Sequence, residues 1–203
     1  MNYDVYLVGV GGQGILTIGE VLAMAAERRG LPVNFFPSRG MAQRGGFVKA
    51  QLRLGRDRVG PQIPERGADL AIAMELSEAL KAIPFVRPGG DFILVGDVWS
   101  PAEVTLGKAP YPSAESVSQA VTAAGARLTY LDPARLPVFE GKPVPANSFV
   151  LGTTLAQTPL GSLFKPEEIE SILRERFKRA VPMNQFAFRA GLQAAAQNTA
   201  IPE

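Results

Sequence analysis

Two glycine-rich stretches hold the residues best suited to bind a ligand. The first is Val8–Gly14, VGVGGQG, set between a short apolar run and ILTIGEVLAMAAERRG. A glycine turn from strand into helix brings bare backbone N–H groups and a helix N-terminus to one point, which favours an anion such as a phosphate. Gly9, Gly11 and Gly14 also meet the G-x-G-x-x-G spacing of dinucleotide-binding turns. The plainer alternative is a tight turn that binds nothing. Gln13 either presents its amide to a ligand or stands solvated in the first turn.

The second stretch is SRGMAQRGG, with Ser38, Arg39, Gly40, Gln43, Arg44, Gly45 and Gly46 as its candidate binding residues. Glycines let backbone approach a ligand, and arginine offers a planar bidentate donor for carboxylate or phosphate. The competing reading is a surface loop with solvated charges. In a doubly wound sheet, loops at the C-terminal ends of strands converge on one crevice, so both stretches are expected there. Asp97 either reaches the same crevice or caps the next element. Trp99, just before Pro101, is a local anchor or an interface residue.

The dinucleotide fingerprint also needs an acidic residue about 20 residues on, at the end of the second strand. The run Phe35–Phe36–Pro37–Ser38–Arg39 has none, although Arg39 leaves a 2′-phosphate open. The chain has no Cys and no His. That rules out a disulfide framework, a thiolate zinc site and a cysteine-ligated iron–sulfur cluster within this chain. No catalytic residue and no metal ligand is assigned.

The elements that must position these residues follow from periodicity. Val5–Val8 reads as a buried strand and Ile15–Arg29 as a helix stopped by Gly30. Pro32–Phe36 is a second strand. Phe47–Leu54 alternates, which predicts a strand with one wet face, and the stretch around Phe47–Val59 looks like a hairpin. Asp69–Met74 and Phe92–Val95 are buried strands, with a short helix over Glu75–Ile83 and a turn at Arg87–Gly90. Ala114–Ala124 is a helix and Arg127–Leu131 a strand. Proline-bearing loops cover Pro101–Pro112 and Pro133–Pro145. Helices follow at Asn147–Gln157, with Asn147 as N-cap, at Pro166–Arg179 and at Asn184–Gln197. Strands alternating with helices predict an α/β, three-layer fold. Its sheet is mainly parallel, with a Rossmann-like N-terminal half and some antiparallel strands.

Composition sets the outer bounds. The 203 residues suit one domain, 1–203, and 46% hydrophobic residues supply its core. A net charge of +2, with no basic run, argues against nucleic acid as a partner. No stretch reaches the roughly 20 apolar residues that cross a bilayer. The N-terminal stretch lacks the basic leader and cleavage site of a signal peptide. A soluble cytoplasmic protein is expected.

GVGGQG, SRGMAQRGG and FVKAQLRLG, followed by ADLAIAMELSEAL, VRPGGDFILV and VPANSFVLG, together resemble the γ domain of the 2-oxoacid:acceptor (ferredoxin) oxidoreductases. The likeness is greatest to the β subunits of the indolepyruvate enzymes and covers nearly the whole chain. The resemblance implies a subunit of a thiamine diphosphate-dependent complex that is not active alone. Such a complex oxidatively decarboxylates a 2-oxoacid, here an aryl one such as indolepyruvate, forms an acyl-CoA and passes electrons to ferredoxin or another acceptor. Thiamine diphosphate, Mg and the iron–sulfur clusters are implied on a partner subunit, with CoA at the interface. By the same resemblance Gly9, Gly11, Gly12, Gln13 and Gly14 form one ligand-facing turn. The second loop faces the partner's cofactor or CoA, and Asn147 lies nearby. A free-standing NAD(P)-dependent dehydrogenase and a scaffold that binds no ligand are the alternatives.

Overall fold

The computed structural model describes residues 1–39, 45–100, 102–108 and 110–194. Strand β1 (Tyr3–Val10) is buried throughout because its side chains alternate between two apolar layers. Tyr3, Val5 and Leu7 enter one layer, and Tyr6 and Val8 the other. Around it the chain forms α1 (Ile15–Arg28), β2 (Val33–Arg39), β3 (Phe47–Leu54), β4 (Ala68–Ala73), α2 (Leu76–Ala82) and β5 (Val86–Val95). There follow α3 (Ala102–Thr105), α4 (Ala114–Ala123), β6 (Arg127–Leu131) and the two-residue strands β7 (Val138–Phe139) and β8 (Lys142–Pro143). The chain then continues through α5 (Ala146–Gln157), α6 (Leu160–Leu163), α7 (Pro166–Arg176) and α8 (Val181–Ala194).

The main sheet has six strands in the order β2-β3-β1-β4-β5-β6. β1, β4, β5 and β6 pair in parallel, while β3 runs against both β1 and β2. β2 therefore points the same way as β1, and all strands but β3 end at one edge. Helices α1, α5, α7 and α8 cover one face; α2 and α4 cover the other. This is the three-layer α/β arrangement; among the described residues the antiparallel strand of the main sheet is β3, and the small β7–β8 pair is antiparallel as well.

Several local expectations change. The hairpin joins β2 to β3, with Phe35 opposite Leu52 and Arg39 opposite Val48. It does not follow β3. The Rossmann-like half thus has β3 inserted between β1 and β2, places that a doubly wound sheet makes adjacent. The expected wet face of β3 is largely covered: Lys49 is half-buried, and Gln51 and Arg53 are buried. Arg53 grips the buried Asp4 carboxylate through Nε at 3.2 Å and a second nitrogen at 2.9 Å, and also donates to the carbonyls of Gly60 and Gln62. Gln51 accepts from the Ile63 N–H. The segment returning to β4 covers this face, and alternation alone carries no sign of such a cover.

Arg87–Gly90 belongs to β5, as a bulge that shifts the register between Ala68 opposite Val86 and Leu70 opposite Asp91. Helix α5 begins at Ala146 with Pro145 before it, so Asn147 sits inside the first turn and is not the N-cap. Its Oδ1 instead accepts from the Ser148 N–H. Helix α7 ends at Arg176, three residues short of Arg179, and the Pro133–Pro145 loop contains the β7–β8 pair. Of the helix expected over Asn184–Gln197, the last three residues lie outside the described residues.

Candidate functional site

The turn at Gly9–Gly14 lies at the edge where β1, β4, β5 and β6 end. Its glycines have separate local causes. A Cβ on Gly9 would stand 2.7 Å from Gln13 Oε1. The bare Gly9 therefore leaves room for the Gln13 side chain to fold back over the strand end. Gly14 precedes α1 with φ 73° and ψ 22°, in the left-handed region that favours glycine. A Cβ there would also lie 2.5 Å from Asn147 Nδ2, so the first turn of α5 packs directly on the start of α1.

Gln13 does not offer a free amide. Its Oε1 accepts from the Val10 N–H at 2.9 Å, and its Nε2 donates to the Met74 carbonyl at 2.8 Å and to Asp97 Oδ2 at 2.7 Å. One side chain thus laces together the ends of β1, β4 and β5. Asp97 reaches the crevice and also takes a local role. Its Oδ1 accepts from the Val98 N–H, and its carbonyl accepts from the Leu76 N–H as α2 begins.

These groups border a cleft of about 370 Å³. Gly12, Gln13, Gly14, Asp97 and Asn147 line it together with Leu136 and Pro145. Helix α1 opens onto it with no acidic residue in its first turn and no side-chain cap, so the positive end of its dipole is not neutralised from within. The charged side chain among the described lining residues is Asp97, and both its oxygens already accept hydrogen bonds. A bound anion would therefore meet backbone N–H groups and a helix N-terminus, with any cation supplied from beyond this lining.

The second glycine stretch reaches the turn by its far end. Gly11 N–H donates to the Gly46 carbonyl at 2.9 Å, and Gly45 N–H to the Gly11 carbonyl at 3.3 Å. The near end behaves differently. Ser38 and Arg39 are the last residues of β2, with Ser38 exposed opposite Lys49, which stands opposite Val8. Ser38 is thus two strand spacings, about 10 Å, from β1. Gly40, Gln43 and Arg44 lie outside the described residues. The turn, Asn147, Gly45 and Gly46 converge, whereas Ser38 does not.

The sequence reading missed Glu75. It follows β4, is 0% exposed and caps α2 by accepting from the Glu78 N–H at 2.8 Å. Its second oxygen accepts from the Trp99 N–H at 3.2 Å and from the Tyr111 hydroxyl. Nothing local in the sequence marks it, since its partners outside α2 lie 24 and 36 residues away.

With this geometry, the sequence profile described as pyruvate ferredoxin/flavodoxin oxidoreductase matches residues 4–194. The chain belongs to the pyruvate ferredoxin/flavodoxin oxidoreductase family. It is 34% identical over 196 residues to the indolepyruvate oxidoreductase subunit IorB of Thermococcus kodakarensis, covering 96% of each chain. It has the same identity and coverage with the IorB subunit of Archaeoglobus fulgidus. Among solved structures, the keto/oxoacid ferredoxin oxidoreductase gamma subunit from Geobacter sulfurreducens has a similar fold. The TM-score is 0.65 at 22% identity, over 96% of this chain and 98% of that one. Membership in the pyruvate ferredoxin/flavodoxin oxidoreductase family makes the chain a subunit of an oxoacid oxidoreductase. The free-standing dehydrogenase fares worse on geometry too, because β3 separates the end of β2 from the glycine turn that a dinucleotide would have to span.

Proposed function

We propose that the chain is the small subunit of a thiamine diphosphate-dependent 2-oxoacid:ferredoxin oxidoreductase acting in the cytoplasm on indolepyruvate or a related aryl 2-oxoacid. The observation that carries this reading is similarity to indolepyruvate oxidoreductase subunits along almost the full length of both chains. The donor chemistry agrees with it. Without a cysteine, the chain cannot ligate a cluster through thiolates, and a cofactor-bearing partner must hold the redox groups. Thiamine diphosphate supplies the electron sink on that partner.

In this reading the chain's own residues bind and orient. The cleft beside Gly12, Gly14 and Asn147 receives an anionic group, the phosphates of CoA, on the N-terminus of α1. Arg39 and Arg44, from the second glycine stretch, supply the balancing positive charge. Asp97 and Gln13 keep the strand ends fixed while the partner subunit closes over the cleft.

The test is reconstitution with the cofactor-bearing partner, assayed for oxoacid-dependent reduction of ferredoxin. Turnover of indolepyruvate that needs CoA and both chains is expected. Oxidation by the isolated chain with NAD or NADP, or a complex that turns over only aliphatic oxoacids, refutes the assignment. The engaged atoms of Gln13 favour one competing reading, a scaffold that touches no ligand. Arg44→Ala separates the two. A ligand-facing loop predicts a CoA affinity weaker by about 1–3 kcal/mol, and a scaffold predicts no change.

A further inference from the structure

The buried Glu75 carboxylate does more than a helix cap requires. Its Oε2 serves α2 itself, taking the Glu78 N–H at 2.8 Å and the Ser77 hydroxyl at 2.7 Å. Oε1 is turned away from the helix, onto the Trp99 N–H and the Tyr111 hydroxyl. A carboxylate taken out of water is costly unless its lone pairs are satisfied, so this grip is firm. A shorter cap such as Ser or Asp would serve α2 without the reach that Glu75 has toward Trp99. Trp99 in turn lies against the second glycine stretch: a Cβ on Gly45 would stand 2.5 Å from the indole Nε1. Gly45 is itself bonded to Gly11 in the first turn. The indole remains 47% exposed, and Val98 beside it is 52% exposed.

We infer that Glu75 is a positioning residue. By holding the Trp99 backbone it keeps the indole seated on Gly45, and so sets where the second glycine loop meets the Gly11 turn. The inference rests on the proposed binding role of that edge. The strut carries no charge to the ligand and touches none of the reacting atoms. It acts by keeping Gly45 and Gly11, which have no side chains of their own to lock them against each other, in one arrangement before a ligand arrives.

Trp99 is the only tryptophan of the sequence, so its emission reports the strut directly in the full chain. Glu75→Gln leaves one acceptor oxygen in place of two and sets an NH2 donor against N–H and O–H donors, and acrylamide quenching of Trp99 is expected to rise about twofold. In the reassembled complex the KM for CoA should rise about fivefold with kcat held within about twofold, the pattern of lost binding alignment. Trp99→Ala should reproduce that KM while leaving the α2 cap intact, and it decides the matter if Glu75→Gln misfolds. Trp99→Phe keeps a ring on Gly45 and should restore a KM near that of the native chain. Unchanged quenching in folded Glu75→Gln, or an unchanged KM in an active Trp99→Ala complex, overturns the inference. If the native complex shows no oxoacid turnover while Glu75→Gln still frees the indole, the strut is supported and only the functional reading fails.

Discussion

Gln13 Nε2 donates to Asp97 Oδ2 at 2.7 Å across 84 residues of chain. The same nitrogen holds the Met74 carbonyl, and the amide oxygen holds the Val10 N–H. Removing the side chain strands polar groups on three strands at once. Gln13→Ala should cost about 2–3 kcal/mol, the scale of partly buried groups left without partners. Gln13→Glu should be at least as harmful, because it sets a second carboxylate against Asp97 and loses both donors. Urea unfolding at neutral pH measures both; a loss under about 0.5 kcal/mol for Gln13→Ala would show that water replaces the lacing.

Gly14 couples to Asn147. Gly14→Ala forces an L side chain into φ 73° and drives its Cβ to 2.5 Å from Asn147 Nδ2. The backbone strain alone is about 1–2 kcal/mol. In an Asn147→Ala background the collisions with Nδ2 and Cγ are gone, leaving that strain and the Cβ contact at 3.3 Å. A double-mutant cycle should therefore show a favourable coupling of about 0.5 kcal/mol or more. Strict additivity would mean that the two helix starts move independently.

Helices α5 and α8 cross at two glycines. A Cβ on Gly152 would collide with the Phe188 carbonyl, and one on Gly191 with the Phe149 carbonyl. Neither obstacle is a flexible side-chain end. Gly152→Ala and Gly191→Ala should each cost about 1–3 kcal/mol, as overpacked interiors do. Thermal unfolding checks this, and the gain in helix propensity from Gly to Ala works against the expected sign.

Acid should loosen α7. The Arg29 guanidinium, helped by the Lys165 N–H, holds the Glu168 carboxyl below its ordinary 4.5. Arg189 does the same for Glu170. A carboxyl lowered in the folded chain stabilises it above the ordinary value, and that contribution fades as pH falls through the lowered one. Stability should thus decline from about pH 5 downward, with a shallower slope in the Glu168→Gln/Glu170→Gln double variant. Both pairs lie at the surface, so high salt should shrink the difference. Equal slopes in the two chains would remove these pairs from the account of acid unfolding.

Much of the frame was legible locally. The first strand, the glycine turn and α1 were read within two residues at each end, because apolar period and glycine spacing are properties of adjacent residues. The same holds for β6 and α4. Of the second glycine stretch, Gly45 and Gly46 meet the Gly11 turn while Ser38 stays two strands away, because β3 separates the end of β2 from β1. What changed were the strand pairing, some element ends and caps such as Asn147, and the cover over β3. Gln51 and Arg53 look like a solvated face in sequence, and they are buried because residues 60–63 return across them.

The sequence by itself settled the alternation of elements and the lack of any thiolate or imidazole ligand. Only the tertiary structure decided that β3 separates β2 from β1 and that Gln13 turns inward. It alone joined Glu75 to Trp99. The physical reason is range. Periodicity and turn chemistry act over a few residues, whereas a buried amide or carboxylate takes whatever partners the folded chain brings within hydrogen-bonding distance, and those partners come from remote segments.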